Sequence, residues 1–155
     1  MLEQITRLGL REDVRLLGYL SDDKLLALYH ASTVIAFPSL YEGFGLPVLE
    51  AMACGVPVVA GRNSSLPEIS GEAALLLSDY DLSAWVSAID SLLEDTVLAD
   101  RLALSGIAQA QRFSWDETSR LTMAAYRRVL GLPNSAGMSV SAEQPLKLAR
   151  HAGAP

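Results

Sequence analysis

An α/β fold built on a parallel sheet is expected from two features of the sequence. Short apolar runs, Val34-Ile35-Ala36-Phe37, Pro57-Val58-Val59-Ala60 and Ala74-Leu75-Leu76-Leu77, have the length and composition of buried strands. Around them lie stretches whose apolar residues recur every three to four positions, the period of a helix packed by one face. Strands that alternate with helices are returned to the sheet by crossovers, which places neighbours parallel.

In chain order, Leu2, Ile5 and Leu8 give a short helical stripe that Gly9 interrupts. Val14-Arg15-Leu16-Leu17 reads as a strand entering a turn at Gly18-Tyr19. Ser21 suits an N-cap, with Asp22 and Asp23 favourably placed in the first turn of a helix carrying Leu25, Leu26, Leu28 and Tyr29. The strand Val34 to Phe37 is stopped by Pro38. After a helix from Pro47 come the strand at Pro57 to Ala60, a polar loop over Gly61-Arg62-Asn63-Ser64-Ser65, a short turn near Pro67, and a last strand at Ala74 to Leu77. Trp85, Ile89, Leu92 and Leu93 then repeat at helical spacing, as do Leu98, Leu102 and Ile107. Ser114, with Glu117 three residues on, predicts a capping box for a final helix containing Trp115, Leu121, Ala125 and Val129. These stripes are expected to face the core. Beyond Gly131 no period is sustained, so residues 1–131 are expected to form the domain and 132–155 a disordered, mobile tail.

One stretch organises the rest: Pro38-Ser39-Leu40-Tyr41-Glu42-Gly43-Phe44-Gly45-Leu46-Pro47-Val48-Leu49-Glu50-Ala51-Met52-Ala53-Cys54-Gly55. It leaves a strand, passes through a glycine loop and enters a helix, with Pro47 suited to the first helical position and Gly55 to the C-terminal end. The unpaired N–H groups of such a turn, reinforced by the helix dipole, suit an anion, and Gly43 and Gly45 leave the backbone approachable. Glu42 in the loop and Glu50 about one turn inside the helix flank that position. Carboxylates repel phosphate, so they are expected to accept hydrogen bonds from hydroxyls on either side of it, the layout of a diphosphate with a sugar at each end. A strand-to-helix turn with two solvated glutamates fits the same spacing.

Composition excludes several classes. The 155 residues suit one domain, and 50% hydrophobic content indicates a globular chain. A formal charge of −6 without a basic cluster argues against nucleic acid as a partner. Cys54 is the only cysteine, so no intrachain disulfide or thiolate-rich metal site is expected, and a buried structural thiol is favoured over a nucleophile. His30 and His151 are too far apart in sequence and setting to predict a metal pair. Charged residues from Glu3 to Asp13 leave no room for a signal-peptide core, and no run approaches the ~18 apolar residues of a membrane span. A cytoplasmic protein, in peripheral contact at most with the inner membrane face, is the resulting expectation.

The organising stretch resembles the donor-site signature of retaining glycosyltransferases of family 4 (group 1), Glu-Gly-Phe-Gly-Leu-Pro-x-x-Glu-Ala-Met-Ala-x-Gly. Upstream, Val14 to Ser21 and Leu28-Tyr29-His30-Ala31-Ser32 continue the likeness; downstream, Pro57 to Ala60 and Ser65-Leu66-Pro67-Glu68-Ile69 do so, over most of Met1 to about Leu130. The resemblance implies a Rossmann-like parallel sheet with flanking helices, part of the C-terminal, donor-binding domain of a glycosyltransferase-B fold. It implies hexose transfer from a nucleotide-diphosphate sugar, as substrate without further cofactor or metal, to a glycan or glycoconjugate acceptor.

By the same resemblance Glu42 contacts the donor sugar, as orienter, charge stabiliser or nucleophile; Glu50 binds ribose hydroxyls; and the backbone of Gly43, Phe44, Gly45 and Leu46 holds phosphate. From their place at the end of a strand, on the side where open α/β sheets bind ligands, Gly18 and Tyr19 are candidates for the nucleobase edge, or else form a tight turn with a half-buried tyrosine. Tyr41 is placed to pack on the sugar or shield the loop, and Arg62 to reach a phosphate or remain solvated. The family's upstream donor strands, with a Gly-Arg and a Lys that neutralise the diphosphate, have no counterpart before Met1. Amides and a dipole, worth about 0.3–1 kcal/mol at a surface, replace charged hydrogen bonds of roughly 1.5–3 kcal/mol each. The chain is therefore expected to bind weakly, to be inactive alone, and to be part of a larger transferase whose N-terminal domain is a possible separate partner. The alternative is a noncatalytic module that binds a nucleotide or a partner subunit.

Overall fold

Three strands, β1 (Ile35–Phe37), β2 (Val58–Gly61) and β3 (Leu75–Leu77), pair in parallel in the order β1-β2-β3. The computed structural model to which they belong describes residues 2–78 and 80–132. Ile35 lies opposite Val58 and Val59 opposite Leu75, so all three strands deliver their carboxyl ends to one edge. All of β2 is buried, which explains why its sequence is a continuous apolar run instead of an alternation. Its side chains nevertheless alternate between two cores. Val58 and Ala60 join Tyr29, Val48, Met52, Leu66 and Ile69 on one face, and Val59 joins Trp85, Leu92 and Leu102 on the other.

The helices among the described residues are α1 (Leu2–Arg7), α2 (Asp22–Ala31), α3 (Leu46–Ala53), α4 (Leu66–Ser70), α5 (Leu82–Glu94), α6 (Thr96–Ala110) and α7 (Trp115–Val129). α2, α3 and α4 build the first core, while α5 and α6 build the second. α6 also packs on α3. Gly106 permits that contact, since a Cβ there would stand 3.2 Å from Met52 Cγ and 3.4 Å from its Cα. Asp81 and Asp95 cap α5 and α6 by accepting from the amides of Ala84 and Leu98. Ser114 caps α7 through the amide of Glu117 at 3.1 Å. The Glu117 carboxylate takes Arg120 Nε at 2.7 Å, so only half of the predicted capping box forms.

Two expectations are corrected. Residues 14–17 are irregular and exposed, not a strand. A strand persists only through a ladder with a neighbour. Among the described residues β1 pairs with β2 alone, so residues 14–17 have strand composition and no ladder to join. The apolar residues of α7 are not core either: Trp115, Leu121 and Val129 are exposed, and no α7 residue is buried; on α5 Trp85 and Leu92 are buried as expected while Leu93 is exposed. Both faces of the sheet are already covered by α2 to α6, which leaves α7 nothing among the described residues to pack on. The expected tail falls outside the described residues, with His151, apart from Leu132, whose amide donates to the Arg127 carbonyl at 2.9 Å. No helix among the described residues is long and apolar enough to cross a membrane.

Candidate functional site

Because β1 and β2 are parallel neighbours, the loops leaving their carboxyl ends meet at the edge where open α/β sheets receive ligands. Residues 63–65 clamp the glycine loop. Asn63 Nδ2 donates to the Ser39 carbonyl at 2.7 Å, and the Glu42 amide donates to Ser64 Oγ at 2.9 Å. The Ser64 hydroxyl in turn donates to Asn63 Oδ1 at 2.9 Å. Ser65 Oγ lies 2.7 Å from the Phe44 carbonyl and 3.1 Å from that of Glu42, and its single proton serves one of them at a time. Ser64 holds φ at +44°, a conformation that costs a non-glycine residue about 1 kcal/mol and is sustained here by its two hydrogen bonds. Sequence reasoning took this segment as a plain polar loop. The available signal was three consecutive residues able to bond backbone, placed after a strand that neighbours the one feeding the glycine loop.

Gly45 is the N-cap of α3 with φ +100°, and a Cβ there would lie 2.7 Å from Leu66 Cδ2 and 2.8 Å from Ile69 Cδ1. The helix begins at Leu46, one residue before the expected start, so Pro47 is its second residue, still within the turn whose N–H groups lack intrahelical partners. Among the described residues the amides of Gly43, Phe44, Gly45 and Leu46 donate to no protein acceptor. A Cβ on Gly43 would meet nothing within 4 Å, so this backbone is open to approach. The Phe44 ring turns aside and meets Phe113 edge to face, with centroids 6.0 Å apart at 87°. At its far end α3 closes as sequence predicts: Gly55, at φ +71°, donates to the Met52 carbonyl at 2.9 Å and Val56 to that of Ala51 at 3.0 Å, a Schellman motif.

Each glutamate is held by a hydroxyl. Ser39 Oγ is 2.7 Å from Oε1 of the half-buried Glu42. Glu50 lies on the exposed side of α3, and Tyr29 Oη of α2 donates to its Oε2 at 3.1 Å, with the Pro47 carbonyl at 3.4 Å. Burial, then the hydrogen bond to Glu50 and its charge, push the Tyr29 phenol well above its ordinary value. Burial first, then Glu50, also raises the Cys54 thiol, which favours a protonated structural role over a nucleophile. A folded-state value above the unfolded one means that Tyr29 contributes stability fully below pH ~10, lost as the pH climbs past the unfolded value of about 10 toward the folded one. Urea unfolding at about pH 9 and about pH 11 is therefore expected to show a larger loss for the natural chain than for Tyr29→Phe; equal losses would refute the assignment.

Of the other candidates, Tyr41 sits in the glycine loop beside Glu42. Gly18, with φ +64°, and the fully exposed Tyr19 follow irregular chain, not a strand end, which removes the ground for placing them at a nucleobase edge. Tyr41 is exposed. Arg62 directs Nη2 to the Leu76 carbonyl at 3.0 Å, tying its loop to β3. Among the described residues no three of His, Cys, Asp or Glu gather as a metal set. A groove of about 630 Å³ lies near the opposite, amino-terminal end of β3, lined by Glu72, Leu75, Arg101, Ser105 and Arg112, and includes neither Glu42 nor Glu50. The glycine-loop site is an open edge.

A parallel sheet covered on both faces, with an amide-lined turn at its carboxyl edge, defines part of a Rossmann-like α/β domain. Solved structures narrow this to part of a glycosyltransferase-B fold. Sucrose-phosphate synthase from Thermosynechococcus elongatus is 32% identical with a TM-score of 0.76, over 83% of this chain and 33% of that one. Anabaena HepE in complex with UDP and glucose is 30% identical with a TM-score of 0.71, over 84% of this chain and 35% of that one. The model of the family "Glycosyl transferases group 1" matches residues 1–109, and the chain belongs to that family. Relatives include O-antigen chain mannosyltransferase B of Escherichia coli, 43% identical over 128 residues, which are 82% of this chain and 34% of that protein. D-inositol 3-phosphate glycosyltransferase of Mycobacterium marinum is 39% identical over 80% of this chain and 28% of its own length. The chain thus spans about a third or less of the length of these relatives.

Proposed function

We propose that this chain binds a nucleotide-diphosphate sugar and forms the donor side of a retaining hexosyltransferase acting on a glycan or glycoconjugate. One observation carries the reading: the amides of Gly43 to Leu46, unpartnered among the described residues, open between two glutamates, each already oriented by a hydroxyl. In this proposal the amides and the positive end of α3 receive the diphosphate. Glu50 accepts from ribose hydroxyls and Glu42 faces the donor sugar. As the bond from the anomeric carbon to the phosphate oxygen breaks, its electron pair leaves with the nucleotide. The Glu42 carboxylate stabilises positive charge left on the sugar, and the amides stabilise negative charge on the departing diphosphate. The acceptor hydroxyl oxygen then forms the new bond on the face that the diphosphate leaves, and its proton passes to the departing diphosphate oxygen. The UDP and glucose bound to HepE support the donor class, and the mannosyltransferase relatives favour a hexose.

Calorimetric titration with uridine and guanosine diphosphates, on the natural chain and Glu50→Ala, tests the reading. Loss of hydrogen bonds to a charged group, roughly 1.5–3 kcal/mol, is expected to weaken the preferred nucleotide by about tenfold to a hundredfold. Equal affinities in the two proteins would remove the ribose role, and no heat from the natural chain with either nucleotide would overturn donor binding.

A further inference from the structure

We infer that Tyr29 is a positioning residue for the nucleotide: from the core side of α2 it fixes the Glu50 carboxylate so that one oxygen stays free for ribose. The inference rests on the donor reading above and assigns a role to a residue outside the glycine loop. Glu50 is exposed, and an unrestrained glutamate at a helix surface samples many rotamers that a ligand must then select among. Tyr29 removes that freedom before any ligand arrives. Its ring is buried, 8% exposed, in the cluster that includes Val48 and Met52, so the phenol oxygen is aimed by packing. Its hydrogen bond engages Oε2 of Glu50, and among the described residues Oε1 has no protein partner. A carboxylate oxygen in that state accepts two hydroxyl donors, the number a ribose offers. Both acceptors within reach of Tyr29, Glu50 Oε2 and the Pro47 carbonyl, belong to α3, so the same phenol also fixes the helix that presents the acid.

The test compares uridine diphosphate with its 2′,3′-dideoxy analogue by calorimetry on the natural chain, Tyr29→Phe, Glu50→Ala and the double variant, beside melting curves of all four. Tyr29→Phe keeps the ring and is expected to weaken the ribonucleotide about fivefold, as for one hydrogen bond. It should leave the dideoxy analogue unaffected, have no further effect when Glu50 is already alanine, and hold the melting point within about 3 °C. A loss equal for both nucleotides, or one that persists in the Glu50→Ala background, would make Tyr29 a merely structural residue and overturn the inference. Ribonucleotide affinity unchanged in Tyr29→Phe but lowered in Glu50→Ala would overturn positioning while the ribose role stands. Affinity unchanged in Glu50→Ala would overturn the ribose role and the inference with it.

Discussion

Replacing Gly45 with alanine is expected to destabilise the chain by about 2–5 kcal/mol, through two causes that add. At φ +100° a Cβ crowds the backbone, at about 1–2 kcal/mol for an L-residue outside the right-handed regions. The same methyl would stand 2.7 Å from Leu66 Cδ2 and 2.8 Å from Ile69 Cδ1. Those atoms end flexible side chains, yet Leu66 is 0% and Ile69 2% exposed, so neither has space to yield. Overpacking of that kind costs about 1–3 kcal/mol. Thermal unfolding of the full chain should show a midpoint lowered by on the order of 10 °C. A change under about 0.5 kcal/mol would mean that the loop moves off α4 without penalty. Nucleotide affinity should fall too, because Gly45 lies in the middle of the open amides.

Met52→Ala is expected to cost about 3–5 kcal/mol, the upper part of the range for deleting a buried methionine. Met52 is fully buried on the side of α3 away from Glu50, two residues and some 200° around the helix. Gly106 of α6 lies against it with no side chain that could swing into the void, and both helices are also held by other core contacts. The cavity would therefore stay open, which is the condition for a large effect. Urea titration supplies the measurement, and a loss below about 1.5 kcal/mol would show that α3 and α6 close together. Folded Met52→Ala should keep most of its nucleotide affinity, in contrast to Gly45→Ala, because the substitution is buried beneath the helix instead of at its mouth.

Local chemistry made much of this structure readable. β1 and β3 lie within the apolar runs that predicted them, β2 runs one residue past its own into Gly61, and Gly55 ends α3 because a position with φ +71° favours a residue without Cβ. The resemblance carried by Glu42, the glycine loop and Glu50 points to the group 1 family, and the family model that matches residues 1–109 agrees. What escaped is decided by partners distant in sequence. Residues 14–17 have the side chains of a strand, but strand formation depends on a neighbour's backbone that composition does not reveal. The stripe on α7 has the period of a packed helix, and period says nothing of whether sheet surface remains to cover it. The hold of Tyr29 on Glu50 spans 21 residues and that of Ser65 on Phe44 also 21, each joining two elements whose proximity exists only once the sheet has formed.

The perpendicular contact between Phe44 and Phe113 ties the glycine loop to the elbow from which α7 departs. Such a pair contributes about 0.5–1.5 kcal/mol, toward the lower end when both rings are partly exposed. Any loop rearrangement that parts the rings forfeits that energy, so the two segments bias one another's equilibria and by equal amounts. A rearrangement of the loop that parted the rings would therefore be disfavoured by up to roughly tenfold.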